Sequence, residues 1–200
     1  MLTLIADDDK HLQNLFDLDH ATNDRLLGEN NLLPGIGLAE LVYGVPGYRM
    51  VNAAFCHASP LGGRFNGPDR GVWYAGFELE TAQAEVLFHK SVQLAEVEWD
   101  EEEVVDYQDL LANFDAKFHD LRDATDFEDC LSPTSYAASQ ALAARLLAAG
   151  SGGVVYPSVR RAGGTSLACF RPALVGNVRQ GLEYVFHWRG MDTPACMRPA

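Results

Sequence analysis

The feature that most constrains the fold is the order of elements in residues 132–187, where one helix is followed by three β-type runs. Ser132-Pro133 gives the order of capping residue and proline that is favoured at a helix start. Strong helix formers continue from Ala137 to Ala149, and Gly150 then ends the helix. The β-type runs lie near 153–157, 166–171 and 178–187. This order predicts a domain that mixes α and β structure.

The preceding block, residues 49–98, is typical of strand, loop, strand, helix and strand in that order. The strands are predicted at Val51 to Phe55, at Val72 to Ala75 and at Val92 to Trp99. The helix is predicted at Leu79 to Lys90 by composition.

The two ends of the chain carry weaker patterns. Residues 9–30 have an uneven helical period, and Leu38 to Val42 suggests one more short turn of helix. We interpret residues 1–47 as a helical N-terminal extension packed on the main domain, because a free-standing domain of that size is marginal. Residues 191–200 are expected to form a loose tail.

Acidic residues are concentrated in one segment. Fourteen of them lie between residues 96 and 129, against only Lys117 and Arg122 as basic residues. Apolar anchors such as Phe114 and Phe118 argue against disorder, so we expect an acidic helical insertion at about 96–132 with a solvated face. The net charge of −13 argues against direct binding to nucleic acid or to an anionic membrane.

The N-terminus and the cysteines favour a cytoplasmic protein. The start of the chain lacks the positive region and cleavage site of a signal peptide, and no apolar run approaches the roughly 20 residues of a membrane span. The four cysteines are scattered and form no CxxC pair, as in a reduced protein.

Several common motifs are incomplete in this chain. Gly35-Ile36-Gly37 lacks the third glycine and the preceding strand of a dinucleotide fingerprint. Cys56-His57 has no third ligand nearby, and the histidines do not have metal-ligand spacing, so no metal site is expected. Cys169 lies in an apolar run and is interpreted as a buried structural thiol.

Two residues near the middle of the chain suit a nucleotide ligand. Arg64 follows Gly62-Gly63 on a turn-rich loop, where its guanidinium could bind phosphate oxygens. Tyr74 ends a β-type run, and its ring could stack on a flat cationic base. Their ordinary alternatives are a surface arginine in a turn and a core tyrosine with a satisfied hydroxyl.

Two further residues suit catalysis. Glu85 is the only acid in the largely apolar run Ala82 to Phe88. A carboxylate in such a helix usually has a hydrogen-bonding or charged partner or a functional role, unless it lies on the outer, solvated face of the helix. Ser158 follows Tyr156-Pro157 at a strand end, where functional residues concentrate, although a loop serine is more often a turn former.

Together these segments resemble the RES domain family, which is named for its arginine, glutamate and serine. The resemblance rests on Gly62-Gly63-Arg64-Phe65-Asn66, on Val72-Trp73-Tyr74-Ala75, on Thr81 to Val86 and on Tyr156-Pro157-Ser158. It places the domain at residues 48–190. It implies an α+β fold like that of ADP-ribosyltransferases, with a bent antiparallel sheet and flanking helices.

The resemblance also implies a function. Many RES proteins are toxins that degrade NAD, and an Xre-type helix-turn-helix antitoxin restrains them. The resemblance therefore implies that NAD is a substrate of this chain rather than a cofactor. Glu85 would stabilise the ribosyl cation, Arg64 would hold the pyrophosphate, Tyr74 would stack on nicotinamide and Ser158 would orient ribose or amide. The resemblance leaves open whether water, phosphate or a protein accepts the ribosyl group, and whether the chain forms a homodimer.

A dinucleotide is anionic, so its site needs a local basic patch in this acidic chain. We expect Arg64, Arg70, Arg160 and Arg161 to supply the patch, with Arg160 contacting NAD directly. One alternative function is a non-catalytic interaction module that binds a protein through the acidic face. A second is a cysteine hydrolase that uses Cys56 and His57.

Overall fold

The computed structural model describes residues 34–99, 101–189 and 195–197, so the helix expected at residues 9–30 lies outside the described residues. The described chain is an α+β domain, as the sequence predicted. In chain order its helices and strands are α1 (Tyr48–Cys56), β1 (Trp73–Gly76), α2 (Leu79–Glu96), β2 (Glu102–Asn113), β3 (His119–Asp120), α3 (Ala137–Ala148), β4 (Gly153–Pro157), β5 (Thr165–Cys169), β6 (Gly176–Arg189) and β7 (Ala195–Met197). Short 3-10 helices lie at Leu38–Glu40, Thr125–Leu131 and Pro172–Leu174.

The prediction of a strand at Val51 to Phe55 is wrong, because these residues belong to α1. Val51 and Phe55 lie four residues apart and are both buried, as expected for one face of a helix. Asn52 is buried beside them and ties the helix to the preceding loop: its Nδ2 donates to the Val42 carbonyl oxygen (2.9 Å), and its Oδ1 accepts from the Val42 N–H (3.1 Å).

The central sheet has four strands in the order β1-β5-β4-β3. The β1/β5 and β5/β4 pairs are antiparallel, whereas β3 and β4 are parallel, so this sheet is mixed rather than purely antiparallel. The strands predicted near 72–75, 153–157 and 166–171 are confirmed as β1, β4 and β5. This sheet places Tyr74 on β1 and Tyr156 on β4.

Helix α2 begins where predicted but is longer, and the strand predicted at Val92 to Trp99 is wrong. Leu94 lies on the buried side of the last turns and packs against Tyr184, Phe186 and Trp188. Alternating apolar and polar residues near a helix end fit a helix face as well as a strand, so the local pattern alone was ambiguous. The helix predicted from Ser132-Pro133 begins at Ala137 instead.

The acidic segment is mainly a strand, so the expected helical insertion at about 96–132 is wrong. β2 pairs with β6 from Glu102–Arg189 to Asn113–Gly176. In its first half every second residue is exposed and the residues between are half-buried, as in a strand with one solvated face. The valines and the tyrosine of β2 favour a strand, and the 3-10 helix Thr125–Leu131 is the helical part of the segment.

β6, predicted near 178–187, is confirmed and is the central strand of a three-stranded sheet in the order β2-β6-β7. Ala195–Met197 form β7, which pairs antiparallel with Val185 to His187. This part of the C-terminus therefore differs from the loose tail expected at 191–200.

The buried hydrophobic residues of the described part of the chain form three clusters. One joins α1 to β1 and β5 and includes Ile36 and Leu41, a second lies under α3, and a third packs α2 on β6. In the described part of the chain, no helix is long and apolar enough to cross a membrane.

Candidate active site

The loop from Gly62 to Asn66 is a tightly bonded turn. Gly62 has φ +72°, in the left-handed region that favours glycine. The Gly63 N–H donates to the Asn66 carbonyl oxygen (2.9 Å), and Gln140 Nε2 donates to the Gly63 carbonyl oxygen (3.0 Å). A Cβ at Gly63 would lie 2.6 Å from Asn66 Oδ1 and 2.8 Å from the Tyr74 hydroxyl, so the loop has no room for a side chain there.

Tyr74 fastens this loop to β1. Its hydroxyl accepts from the Phe65 N–H (2.8 Å) and donates to Asn66 Oδ1 (2.8 Å). Tyr74 is nevertheless 40% exposed, because the ring faces open space while the hydroxyl end is enclosed. Burial of the hydroxyl raises the pKa of Tyr74 far above its usual value of 10, so the phenol stays protonated. Tyr74 therefore combines a fixed hydroxyl with an accessible ring.

Arg64 is only 7% exposed and is held by backbone carbonyls. Its Nη1 donates to the carbonyl oxygens of Ser132 (2.7 Å) and Cys130 (3.2 Å). The guanidinium carbon lies 4.8 Å from the centroid of the Tyr136 ring, close enough for a cation–π contact. These two hydrogen bonds use one of the two terminal nitrogens, so the guanidinium keeps donors for a ligand.

Glu85 and Ser158, 73 positions apart in sequence, are in direct contact. Ser158 Oγ donates to Glu85 Oε1 (3.1 Å) and accepts from the backbone N–H groups of Arg160 (3.2 Å) and Arg161 (3.1 Å). One hydroxyl has one donor and two acceptor positions, so these three bonds use its full capacity. Ser158 was expected to orient the ligand itself, whereas in the structure it orients the Glu85 carboxylate.

Two arginines of the expected basic patch, Arg160 and Arg161, are engaged in contacts with other residues of the protein. Arg160 donates from Nη2 to the Pro133 carbonyl oxygen (2.9 Å), and its guanidinium carbon lies 3.4 Å from the Phe88 ring centroid. Arg161 lies 3.7 Å from Glu78.

Arg70 is directed away from this group. It forms a 2.8 Å ion pair with Glu40, donates from Nη2 to the Phe170 carbonyl oxygen, and lines a different, smaller cavity. Its inclusion in a ligand patch is therefore not supported, and its role is to anchor the segment that precedes α1.

Three of the predicted residues meet in one cavity of about 440 Å³, a size that suits a small-molecule site. Arg64, Tyr74 and Glu85 all line it, whereas Ser158 and Arg160 are not among its lining residues. The other lining residues come from the loop at 62–66, from β1, α2, β2, β4 and β5, and from the residue that precedes α3. They are Gly63, Ala75, Gly76, Ala82, Val86, His89, Lys90, Gln93, Tyr107, Tyr136, Tyr156 and Ser166.

Sequence reasoning missed most of the aromatic and polar lining. His89 and Lys90 follow Glu85 by four and five positions on α2, so helical spacing from Glu85 was a signal that could have found them. Tyr107, Tyr136 and Tyr156 come from separate elements, and no local pattern connects them.

The described lining residues of the cavity include three charged side chains, Arg64, Glu85 and Lys90, and Lys90 is paired with Glu103 at 2.9 Å. Among the described residues, neither Arg64 nor Glu85 has an ion-pair partner. Burial lowers the pKa of His89 below its usual 6.5, with the Glu85 carboxylate opposing the shift, so His89 is neutral at pH 7. Burial raises the pKa of Tyr156 above 10, so this phenol is also neutral. The cavity thus offers two cations, Arg64 and Lys90, for anionic groups and the Glu85 carboxylate for a developing positive charge.

The cysteines do not contribute to this cavity. Cys56 is 3% exposed and packs in the core, although His57 beside it is exposed. Burial raises the pKa of the Cys169 thiol to about 11, which fits its interpretation as a structural thiol. Within the residues that the structure describes, no cluster of three or more His, Cys, Asp or Glu side chains could hold a metal ion.

Comparison with known proteins gave one positive result. The family model described as the RES domain matches residues 41–189. No match was found among curated proteins.

Proposed function

The chain belongs to the RES domain family, and from this membership and the cavity we propose that it binds NAD and cleaves the bond between nicotinamide and ribose. The observation that carries the proposal is the Glu85 carboxylate, which lines the cavity and accepts a hydrogen bond from Ser158 (3.1 Å). A carboxylate held in this way, with no cation paired to it among the described residues, suits stabilisation of a cationic transition state.

The proposed chemistry begins with a positively charged leaving group. The C1′–N bond breaks, its electron pair stays on the pyridine nitrogen, and nicotinamide leaves as a neutral molecule. Positive charge then develops on the ribose as an oxocarbenium-like species, which the Glu85 carboxylate stabilises. A nucleophile adds to C1′ and loses its proton, which completes the reaction.

Arg64 and Tyr74 serve to bind and orient the dinucleotide. The free donors of Arg64 suit phosphate oxygens, because a guanidinium binds them through two parallel hydrogen bonds. The exposed ring of Tyr74 suits stacking against nicotinamide, since its hydroxyl is fixed in the loop and the ring cannot turn away. Ser158 supports the reaction through Glu85.

The wider biological proposal follows the family. We take the protein to be a toxin with an ADP-ribosyltransferase-like fold, restrained by an Xre-type helix-turn-helix antitoxin. The acceptor distinguishes three activities: water gives hydrolysis, phosphate gives phosphorolysis and a protein side chain gives ADP-ribosylation.

The test compares wild-type protein with Glu85→Gln, using NAD in buffers with and without phosphate. Nicotinamide and the ribosyl product are followed by chromatography. We expect the wild type to release nicotinamide and Glu85→Gln to be slower by roughly 10²–10³-fold, as for loss of one transition-state stabiliser. Glu80→Gln is the matched control, because Glu80 is an exposed carboxylate on the same helix and does not line the cavity.

Either of two results would contradict the proposal. Undiminished NAD cleavage by Glu85→Gln would remove Glu85 from the mechanism. Absence of nicotinamide release by the wild type, even with a candidate protein acceptor added, would favour the interaction module instead. That module would use the acidic face of β2, where Glu102 and Asp106 are exposed.

A further inference from the structure

One face of α2 forms a continuous wall of the cavity. The lining positions follow helical spacing: Ala82, Glu85, Val86, His89, Lys90 and Gln93. At 1.5 Å per residue, Lys90 lies about 7.5 Å along the helix from Glu85, and Gln93 about 12 Å from it. The cavity therefore extends well beyond the carboxylate, towards the C-terminal end of α2.

The cavity wall also includes an aromatic ring from outside α2. Tyr107, on β2, lines the cavity and is half-buried. Its ring meets the Phe186 ring edge-on at a centroid distance of 5.8 Å, so packing on the second sheet fixes its orientation. An immobilised ring at a cavity wall suits stacking with a flat heterocycle, which every nucleobase provides.

Lys90 supplies a cation to the same cavity. Lys90 Nζ is 2.9 Å from Glu103 Oε1, and both residues are largely shielded from solvent. An ammonium group has three donors, of which Glu103 uses one, so donors remain for a phosphate oxygen. The ion pair also fixes the ammonium against β2, because Glu103 lies on the strand that carries Tyr107.

We infer that the distal part of the cavity, bounded by Lys90, Gln93 and Tyr107, binds the adenosine half of the dinucleotide. Tyr107 stacks on the adenine ring, and Lys90 binds the adjoining phosphate. This inference rests on the proposed function, in which nicotinamide ribose lies at Glu85 and the rest of the dinucleotide extends along α2. The inference also assigns a ligand-binding role to the acidic segment, since β2 supplies both Tyr107 and Glu103.

The test compares NAD with nicotinamide mononucleotide, which has the same scissile bond but no adenosine. In Tyr107→Leu we expect the ratio of kcat/KM for NAD to kcat/KM for the mononucleotide to fall by about tenfold or more, as for loss of one stacked base. Tyr107→Phe keeps the ring and is expected to restore the wild-type ratio. Tyr43→Leu is the control, because Tyr43 is an exposed tyrosine outside the cavity.

The outcomes separate this inference from the proposed function. An unchanged ratio in Tyr107→Leu overturns the inference while cleavage by the wild type still supports the function. If the wild type cleaves neither substrate, calorimetry with ADP-ribose decides the question. Binding that Tyr107→Leu weakens about tenfold or more supports the distal subsite, and absent or unaltered binding overturns it.

Discussion

Removal of the Tyr74 hydroxyl should destabilise the loop that carries Arg64. In Tyr74→Phe the two 2.8 Å hydrogen bonds are lost, which leaves the buried Phe65 N–H and Asn66 Oδ1 without this partner. Each buried group left unsatisfied costs about 1–3 kcal/mol, so we expect the free energy of unfolding to fall by about 3 kcal/mol. That loss is a large fraction of the roughly 5–15 kcal/mol typical of a domain.

Urea denaturation followed by tryptophan fluorescence measures this loss, since Trp73 is buried on the same strand. For a protein of this size the corresponding decrease in Tm is roughly 6–12 °C. Tyr48→Phe is the control, because among the described residues its hydroxyl accepts a single exposed 3.3 Å hydrogen bond, from Arg49, and it should change stability by less than about 0.5 kcal/mol. A Tyr74→Phe protein as stable as wild type would refute the argument that this hydroxyl holds the loop.

The same hydroxyl predicts a dependence on alkaline pH. The folded pKa of Tyr74 is raised above its usual value of 10, so its contribution to stability is complete below pH 10 and is lost as pH rises further. We expect the free energy of unfolding to decrease above about pH 10, and to decrease less steeply in Tyr74→Phe. Tyr156, whose pKa is raised by burial in the same way, should leave a residual slope in the variant.

Three further predictions concern the site. Ser158→Ala removes the hydrogen-bond donor to the Glu85 carboxylate and should lower kcat for nicotinamide release by about 10- to 100-fold, with little change in KM. An unchanged kcat would contradict the proposal that Ser158 positions Glu85. Arg64→Lys cannot reproduce the planar fork against Tyr136 and should raise KM for NAD by about tenfold or more, whereas an unaltered KM would argue against phosphate binding. Iodoacetamide at neutral pH should leave NAD cleavage intact, because Cys56, the thiol of the hydrolase alternative, is only 3% exposed and does not line the cavity. Burial also raises the pKa of Cys169 to about 11, so its thiolate is scarce, and rapid inactivation would instead support a thiol mechanism.

The sequence predicted those strands whose limits are marked by local residues. β4 and β5 are runs of β-type residues bounded by glycine, proline or serine, and both were found within about one or two residues, the usual uncertainty of such boundaries. The prediction for Val51 to Phe55 was wrong, because a short run of four apolar residues around Asn52 fits a helix or a strand equally well. Tertiary packing of Val51 and Phe55 decided in favour of the helix.

The acidic segment shows a second limit of sequence reasoning. Its high density of acidic residues predicted a solvated surface. In the structure the alternate residues Glu103, Val105 and Tyr107 face inward against β6 and α2. Burial on one face of a strand becomes visible only when the partner strand is known. Tyr107 and its contact with the cavity could not be predicted for this reason.

The sequence suggested four candidate site residues but did not predict how they are arranged. Arg64, Tyr74 and Glu85 share the cavity, whereas Ser158 acts on Glu85 through a hydrogen bond that crosses 73 positions of sequence. Arg70 has the same charge as Arg64 and lies in the same loop region, yet its ion pair with Glu40 directs it elsewhere. Such pairing depends on three-dimensional neighbours.

The three separate core clusters have a consequence for ligand-linked dynamics. Tyr156 belongs to the cluster under α3, while Tyr107 packs on the cluster between α2 and β6, and both residues line the same cavity. Separately packed clusters can open as independent cooperative units in native-state hydrogen exchange. A ligand that contacts both walls would join them, so bound dinucleotide should slow amide exchange in β2 and β6 as well as in β4.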